Sequence, residues 1–459
     1  MRDQWTLQRL RRGSVATAIA AISRTTPRTC PPWHASRATI PAATIRRLTT
    51  APRAHHHHRF KHFTHPLPTT IPPQKRTLLT STLPPILIPP TIFIGLLLAL
   101  WTWKCIWIVL LQDKLLYLSW LPPLSRSETI AAYEPDCRPV QWTTQQIRSL
   151  DGTKLTVCEG RLPPLPTHES NQRRVVVICY FQGNGGSTPL RLPLLSQTLR
   201  TLAPSSRQSQ PPEEQVDYII VALSYRGYWT SSGRASQKGI ERDAQAFLGW
   251  VMRTYAASAR EVSVVLWGHS LGAAIASTAL ATHLCDGGGE VVPVASPHAG
   301  RDHAPGVVVA AAAAAATPLP IRGLVLEAPS ASVKDMLISL YPQKWLPYRY
   351  LWPFLWNHWD GVAALRRMAA WRDQRQMPIQ KSGDGASAVR RLPPILLLTA
   401  EKDEVIPPEA AAQLEEEARR LRIEMVRTEV AGAMHTEAPV RPVGRRALVE
   451  FILRCSGES

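Results

Sequence analysis

Hydrophobic and polar positions change character three times along the chain. As far as residue 90 no helical or strand period is sustained, and Arg, Ser, Thr, Pro and His predominate. Such a stretch buries too little apolar surface to offset the entropy of ordering, so residues 1–90 are expected to be a disordered tail. Residues 91–111, TIFIGLLLALWTWKCIWIVLL, are one apolar run. At 1.5 Å per residue a helix of that length is about 30 Å, enough to cross the hydrocarbon of a bilayer. Its single charge is Lys104; twelve Leu, Ile, Val and Phe residues, at roughly −0.3 to −0.6 kcal/mol each, outweigh one lysine at about +2.5 to +3.5 kcal/mol. Pro84, Pro85, Pro89 and Pro90 separate the run from anything before it, which argues against a buried core helix. A transmembrane helix over 91–111 is predicted, followed by a linker over 112–139.

From about residue 140 short β-rich runs alternate with helical windows. Asp151-Gly152 marks a turn between Gln145–Leu150 and Thr153–Glu159. Apolar runs of the length of buried parallel strands follow at Arg174–Phe181, Val216–Ser224, Glu261–Trp267, Ile321–Glu327, Pro394–Ala400 and Ile423–Val430. Helical windows lie at about 188–203, 237–256, 271–284, 408–421 and 444–454. The alternation predicts an α/β domain over 140–455, a mostly parallel sheet covered by helices that binds ligands at the C-terminal ends of its strands. Residues 286–318, with Gly287–Gly289 and alanines from 310 to 316, read as a low-complexity insertion. Residues 331–390 hold Trp345, Trp352, Trp356, Trp359, Trp371, Tyr341, Tyr348 and Tyr350, a set suited to an apolar lid, to the packing of that lid's own core, or to both.

Charge narrows the partners. The net charge is +19, yet residues 1–90 hold fourteen basic residues against Asp3 alone, which leaves the remaining 369 residues at 39 basic and 33 acidic. The body is only mildly basic, and no nucleic-acid partner is expected. The acid-poor tail resembles a mitochondrial transit peptide, and Val15–Ile22 after Arg11 and Arg12 resembles a signal h-region. Close to the span the basic residues balance, with Lys75 and Arg76 on one side and Lys114 and Arg126 on the other. The tail as a whole favours a cytosolic N-terminus and a body across the membrane, in a single-pass protein of the endoplasmic reticulum or another endomembrane, with the mitochondrion as the alternative. His55–His58, with His62 and His65, are read as a low-complexity tract and not as a metal site. The seven cysteines show no CxxC pair; Cys137 and Cys158 are the pair that an oxidising compartment would join.

The chemistry is concentrated in VSVVLWGHSLGAAIA, Val262–Ala276: an apolar strand, a G-x-S-x-G turn and a small-residue helix. The glycines permit a strained turn that lifts Ser270 from the top of a sheet. A serine hydroxyl needs a base, a carboxylate to orient it and amide donors for an oxyanion. The carboxylate is expected just after a late strand, at Asp403 in AEKDEVIPP; Glu401 and Glu404 are its neighbours, and Glu327 is a rival position. The base is expected after the last strand, at His435 in AMHTE. The amide of Leu271 and, in FQGNGGS, that of Asn184 are the expected oxyanion donors. The glycine-rich loop has no Lys-Ser or Lys-Thr after it and fits no phosphate-binding P-loop.

With these residues in place, residues 140–455 apart from the insertion resemble the α/β-hydrolase-domain group of membrane-anchored serine hydrolases, with its fungal bud-emergence-type and animal lysophospholipase and monoacylglycerol lipase-like members. The resemblance rests on FQGNGG, ALSYRGYWTSSGRASQKGIERDAQAFLGWV, LWGHSLGAA, LVLEAPS, AEKDEVIPP and AMHTE. It implies an α/β-hydrolase fold, hydrolysis of carboxylic esters through an acyl-enzyme on Ser270, and no cofactor. Two positions depart from the family pattern. Gln182 stands where the family commonly has His, which bears on the oxyanion loop, and Trp229 stands where it has Gly, which bears on the pocket mouth. Span and lid favour a lipid-like ester, a monoacylglycerol or lysophospholipid; protein-palmitoyl thioester cleavage and a catalytically weak membrane scaffold are the alternatives.

Overall fold

The computed structural model describes residues 84–163, 174–207, 216–256, 261–286, 321–374 and 391–457. Most of the basic tail, the histidine tract, nearly all of the insertion and residues 375–390 of the expected lid lie outside them. Among these residues, those from Trp101 onward belong to one compact unit and those up to Leu100 to another.

Eight strands form one sheet: β1 (Gln141–Arg148), β2 (Lys154–Arg161), β3 (Arg174–Phe181), β4 (Val216–Ser224), β5 (Glu261–His269), β6 (Ile321–Glu327), β7 (Ile395–Ala400) and β8 (Met425–Val430). Their order is β1-β2-β4-β3-β5-β6-β7-β8, antiparallel from β1 to β4 and parallel from β4 to β8. The predicted strands are present; the last begins two residues later than expected, because Ile423 caps the end of the preceding helix through its amide on Ala418. Alternate residues of each parallel strand feed two cores. Val177, Cys179 and Phe181 of β3 face α3 (Gln237–Ala256), α4 (Leu271–Cys285), α6 (Gly361–Asp373) and α7 (Pro408–Arg420). Val176, Ile178 and Tyr180 face α2 (Leu192–Arg207) and α8 (Pro442–Cys455). The window at 188–203 divides into a 3-10 turn, Thr188–Arg191, and α2 proper, because Pro189 and Pro193 each suit a first turn and not an interior. Cys137 and Cys158 are both free and buried.

The apolar helix α1, Ile88–Leu110, continues a 3-10 turn at Pro85–Leu87; the 26 residues are long and apolar enough to cross a membrane. At its C-terminal end Trp101, Cys105, Ile108 and Val109 pack on Leu337 of α5 (Val333–Leu340) and on Tyr348 and Leu351. The Lys104 ammonium lies 4.3 Å from the Tyr348 ring centre, so the one charge of the helix sits on an aromatic face. Residues 112–139, expected as a linker, are packed against the body; short helices occur at Gln112–Leu116 and Glu134–Cys137. The aromatic residues of the lid divide between the two expected roles: Trp359 and Tyr348 are buried, while Trp345, Trp352 and Trp356 are exposed.

Candidate active site

β5, buried from Val262 to its end, runs into a turn that only glycine neighbours allow. A Cβ on Gly268 would lie 2.3 Å from the Gly272 carbonyl oxygen, and one on Gly272 would lie 2.0 Å from that of Phe181. Ser270 sits between them at φ +54° and ψ −120°, a costly conformation for a residue with a side chain. Two bonds hold it there. Its amide donates to the Glu327 carbonyl (2.8 Å), and its own carbonyl accepts from Ala273 (2.9 Å) as α4 begins. The Leu271 amide is therefore at the positive end of a buried helix.

The loops after β7 and β8 bring the other two expected residues together. Asp403 Oδ1 accepts from the amides of Val405 (2.9 Å) and Ile406 (2.8 Å), which orient the carboxylate. His435 Nδ1 lies 2.9 and 2.8 Å from the two Asp403 oxygens, so with the proton on Nδ1 the ring donates to Asp403 and leaves Nε2 as the basic nitrogen. The His435 amide donates to Glu404 Oε2 (3.0 Å), giving that neighbour a holding part. His435 is brought close to the nucleophile turn: its ring centre is 5.1 Å from that of His269, the residue before Ser270. Both Ser270 and His435 are buried.

Glu327, the rival carboxylate, is engaged elsewhere. Its Oε2 accepts from Trp267 Nε1 (2.9 Å), and Oε1 lies 3.7 Å from His269 Nε2. Burial pushes the Glu327 carboxyl up to about 7, partly offset by the Arg191 guanidinium and the Trp267 bond. Burial, with Arg191 beside it, holds His269 well below the usual histidine range. The contact is thus one between groups driven toward their neutral forms, not a strong ion pair.

The loop Gln182–Gly186 is fastened from several directions. Tyr225 Oη donates to the Gln182 carbonyl (2.9 Å), and Tyr228 Oη and the Leu118 amide both donate to the Asn184 carbonyl (2.9 and 2.8 Å). The Gly186 amide donates to the Leu121 carbonyl (2.7 Å). Gln182 is buried; its Oε1 accepts from Thr188 Oγ1 (2.9 Å), whereas its Nε2 has no partner among the described residues. Trp229 occupies φ +40°, the left-handed region that glycine enters freely. Its indole is turned into the core with α2, and Nε1 donates to the Glu128 carbonyl (2.7 Å).

Sequence reasoning missed these clamps. Tyr225 and Tyr228 stand within the recognised YRGYW stretch, so a signal existed; nothing local marks Leu118 and Leu121. It also missed Arg226, buried against Asp243 (2.7 Å) and Asp151 (2.8 Å), which ties the β1–β2 turn and the loop after β4 to α3.

A parallel-centred sheet with a serine at a glycine-flanked strand-to-helix turn, and a histidine–aspartate pair after its last strands, defines an α/β protein built for hydrolysis. The model of the alpha/beta hydrolase family matches residues 191–445, more than half of the chain, and the chain belongs to that family. It is 31% identical over 169 residues to the alpha/beta hydrolase domain-containing protein WAV2 of Arabidopsis thaliana, covering 37% of this chain and 46% of that protein. It is 22% identical over 240 residues to the protein bem46 of Schizosaccharomyces pombe (52% and 55%), and 26% identical over 190 residues to the lysophosphatidylserine lipase ABHD12 of Danio rerio (41% and 37%). These relatives are of the kind the sequence resemblance named. The chain spans about half, or less, of the length of each.

Proposed function

We propose that the protein is a membrane-anchored serine hydrolase that cleaves lipid-like carboxylic esters. The observation that carries this is the His435–Asp403 pair, placed beside the strained turn that bears Ser270. Ser270 Oγ attacks the ester carbonyl as His435 Nε2 takes its proton; Asp403 keeps the imidazole in the Nδ1–H tautomer and stabilises the imidazolium. The amides of Leu271 and Asn184 receive the developing oxyanion. His435 returns the proton to the leaving alcohol, and a water molecule repeats the sequence on the acyl-enzyme.

The membrane and lipid parts of this reading are supported by α1, the one helix among the described residues long and apolar enough to span, and by the exposed aromatic residues Trp345, Trp352 and Phe354. A lysophospholipid fits the Danio rerio relative, a lysophosphatidylserine lipase. The test is labelling of the full-length protein in membranes with a fluorophosphonate probe. Labelling is expected for the wild type and lost in Ser270→Ala; a folded wild type that takes up no label at Ser270 would overturn the proposal.

A further inference from the structure

Resting on that reading, we infer that the segment Tyr117–Glu128, which leads out of the apolar helix, is a positioning strap for the oxyanion loop. The loop needs one. Gly183, Gly185 and Gly186 leave it free of side-chain restraint, and ordering each residue costs about 1–2 kcal/mol of backbone entropy. A planar trans peptide points its C=O and N–H in opposite directions, so a bond to one fixes the other.

The Gln182 carbonyl is set by Tyr225, which also sets the Gly183 amide. The Asn184 carbonyl has both lone pairs engaged, one by Tyr228 Oη and one by the Leu118 amide. Leu118 pairs with Gly185 as a parallel bridge, and the Leu121 carbonyl takes the Gly186 amide. The peptide carrying the Asn184 N–H is thereby bracketed by fixed neighbours, and the strap, together with Tyr228, supplies the bonds on its C-terminal side.

The strap is anchored at points far apart in sequence. Tyr117 Oη donates to Asn357 Oδ1 (2.7 Å) and accepts from Trp359 Nε1 (2.8 Å), both partners buried within the lid region. Arg126 Nη1 donates to the Gly227 carbonyl (2.6 Å), and Glu128 accepts from Ser187 through its carboxylate and from Trp229 through its carbonyl. The path to α1 is short: Leu111 donates to Trp107 and Leu115 to Leu111, so the helical ladder runs nearly unbroken from the apolar helix to the strap. The segment that leads out of the apolar helix is thus the one that sets an amide of the site.

The experiment uses the full chain in detergent, a soluble p-nitrophenyl ester and a fluorophosphonate probe. Leu118→Pro deletes the N–H that holds the Asn184 carbonyl; Tyr117→Phe deletes the hydroxyl that anchors the strap. We expect kcat and the labelling rate to fall together, about tenfold for Leu118→Pro and severalfold for Tyr117→Phe, with KM within about twofold, less than the loss of an oxyanion donor itself. Wild-type kcat and labelling in cooperatively folded Leu118→Pro, or a change confined to KM or to the unfolding midpoint, would overturn the inference. Should Leu118→Pro fail to fold, Tyr117→Phe decides alone by the same criteria. Failure of the wild type to label would strike the proposed function instead, so the two are separable.

Discussion

The proposed nucleophile turn and the proposed oxyanion loop face the same chemistry but are built in opposite ways. Between Gly268 and Gly272 the strand, the turn and the helix are consecutive in sequence, and the strain at Ser270 is imposed by glycine contacts within the motif and with β3 next to it. Between Gln182 and Gly186 the chain has little shape of its own and takes it from Leu118, Leu121, Tyr225 and Tyr228, some 40 to 65 residues away on either side. A position held locally is robust to change elsewhere; one held by distant clamps makes activity answerable to the rest of the molecule.

The largest expected effect breaks the nucleophile side. Asp403→Asn keeps acceptance of a loop amide but removes the anion that orients His435, and kcat on a soluble ester is expected to fall about 10⁴-fold with little change in circular dichroism. A loss below tenfold would show that Asp403 does not orient the base.

Beneath the turn, Glu327 gives a pH test with a worked sign. Its folded value of about 7 lies above the ordinary carboxylate range, so the folded protein binds a proton that the unfolded chain has released; stability is fully present below the unfolded value near 4.5 and is lost as pH rises through 7. The groups facing it are Arg191, Trp267, His269 and His435; His269, held low, acts with the opposite sign as pH falls below its ordinary value. Glu327→Gln keeps the Trp267 acceptor and removes the buried charge, so the variant should gain stability over the wild type by up to about 3 kcal/mol at pH 8 and by little at pH 5. Denaturation midpoints at the two pH values check this, and an equal difference at both would refute it.

Trp229→Gly sharpens the loop side. Relief of the φ +40° strain is worth about 1–3 kcal/mol, whereas emptying a buried indole costs about 3–5 kcal/mol, so the loss wins by about 2 kcal/mol. A more stable glycine variant by chemical denaturation would mean that the indole contributes little packing.

The sheet was legible because apolar runs of strand length, separated by helical windows, have few other ways to bury themselves; α3 matches its predicted span of 237–256. The candidate triad was legible for a related reason: each residue stands in a loop directly after a strand, and chain order carries spatial order in a parallel sheet. Two things were not. Residues 112–139 carry no sustained period and read as a linker, because their partners are backbone and side-chain groups of remote loops. Glu327 ends β6 and Asp403 follows β7, and which of them the imidazole meets depends on where the loop after β8 carries His435.

By itself the sequence determined the strands, the strained serine turn and the family, since these depend on local period, glycine placement and contacts between neighbours in the chain. Only the tertiary structure decided that Asp403 rather than Glu327 faces His435, that Trp229 bears a glycine-like backbone, and that the segment after the apolar helix grips the loop Gln182–Gly186. Those outcomes rest on hydrogen bonds between residues that the chain brings together only once it has folded, and such pairings leave no periodic trace along it.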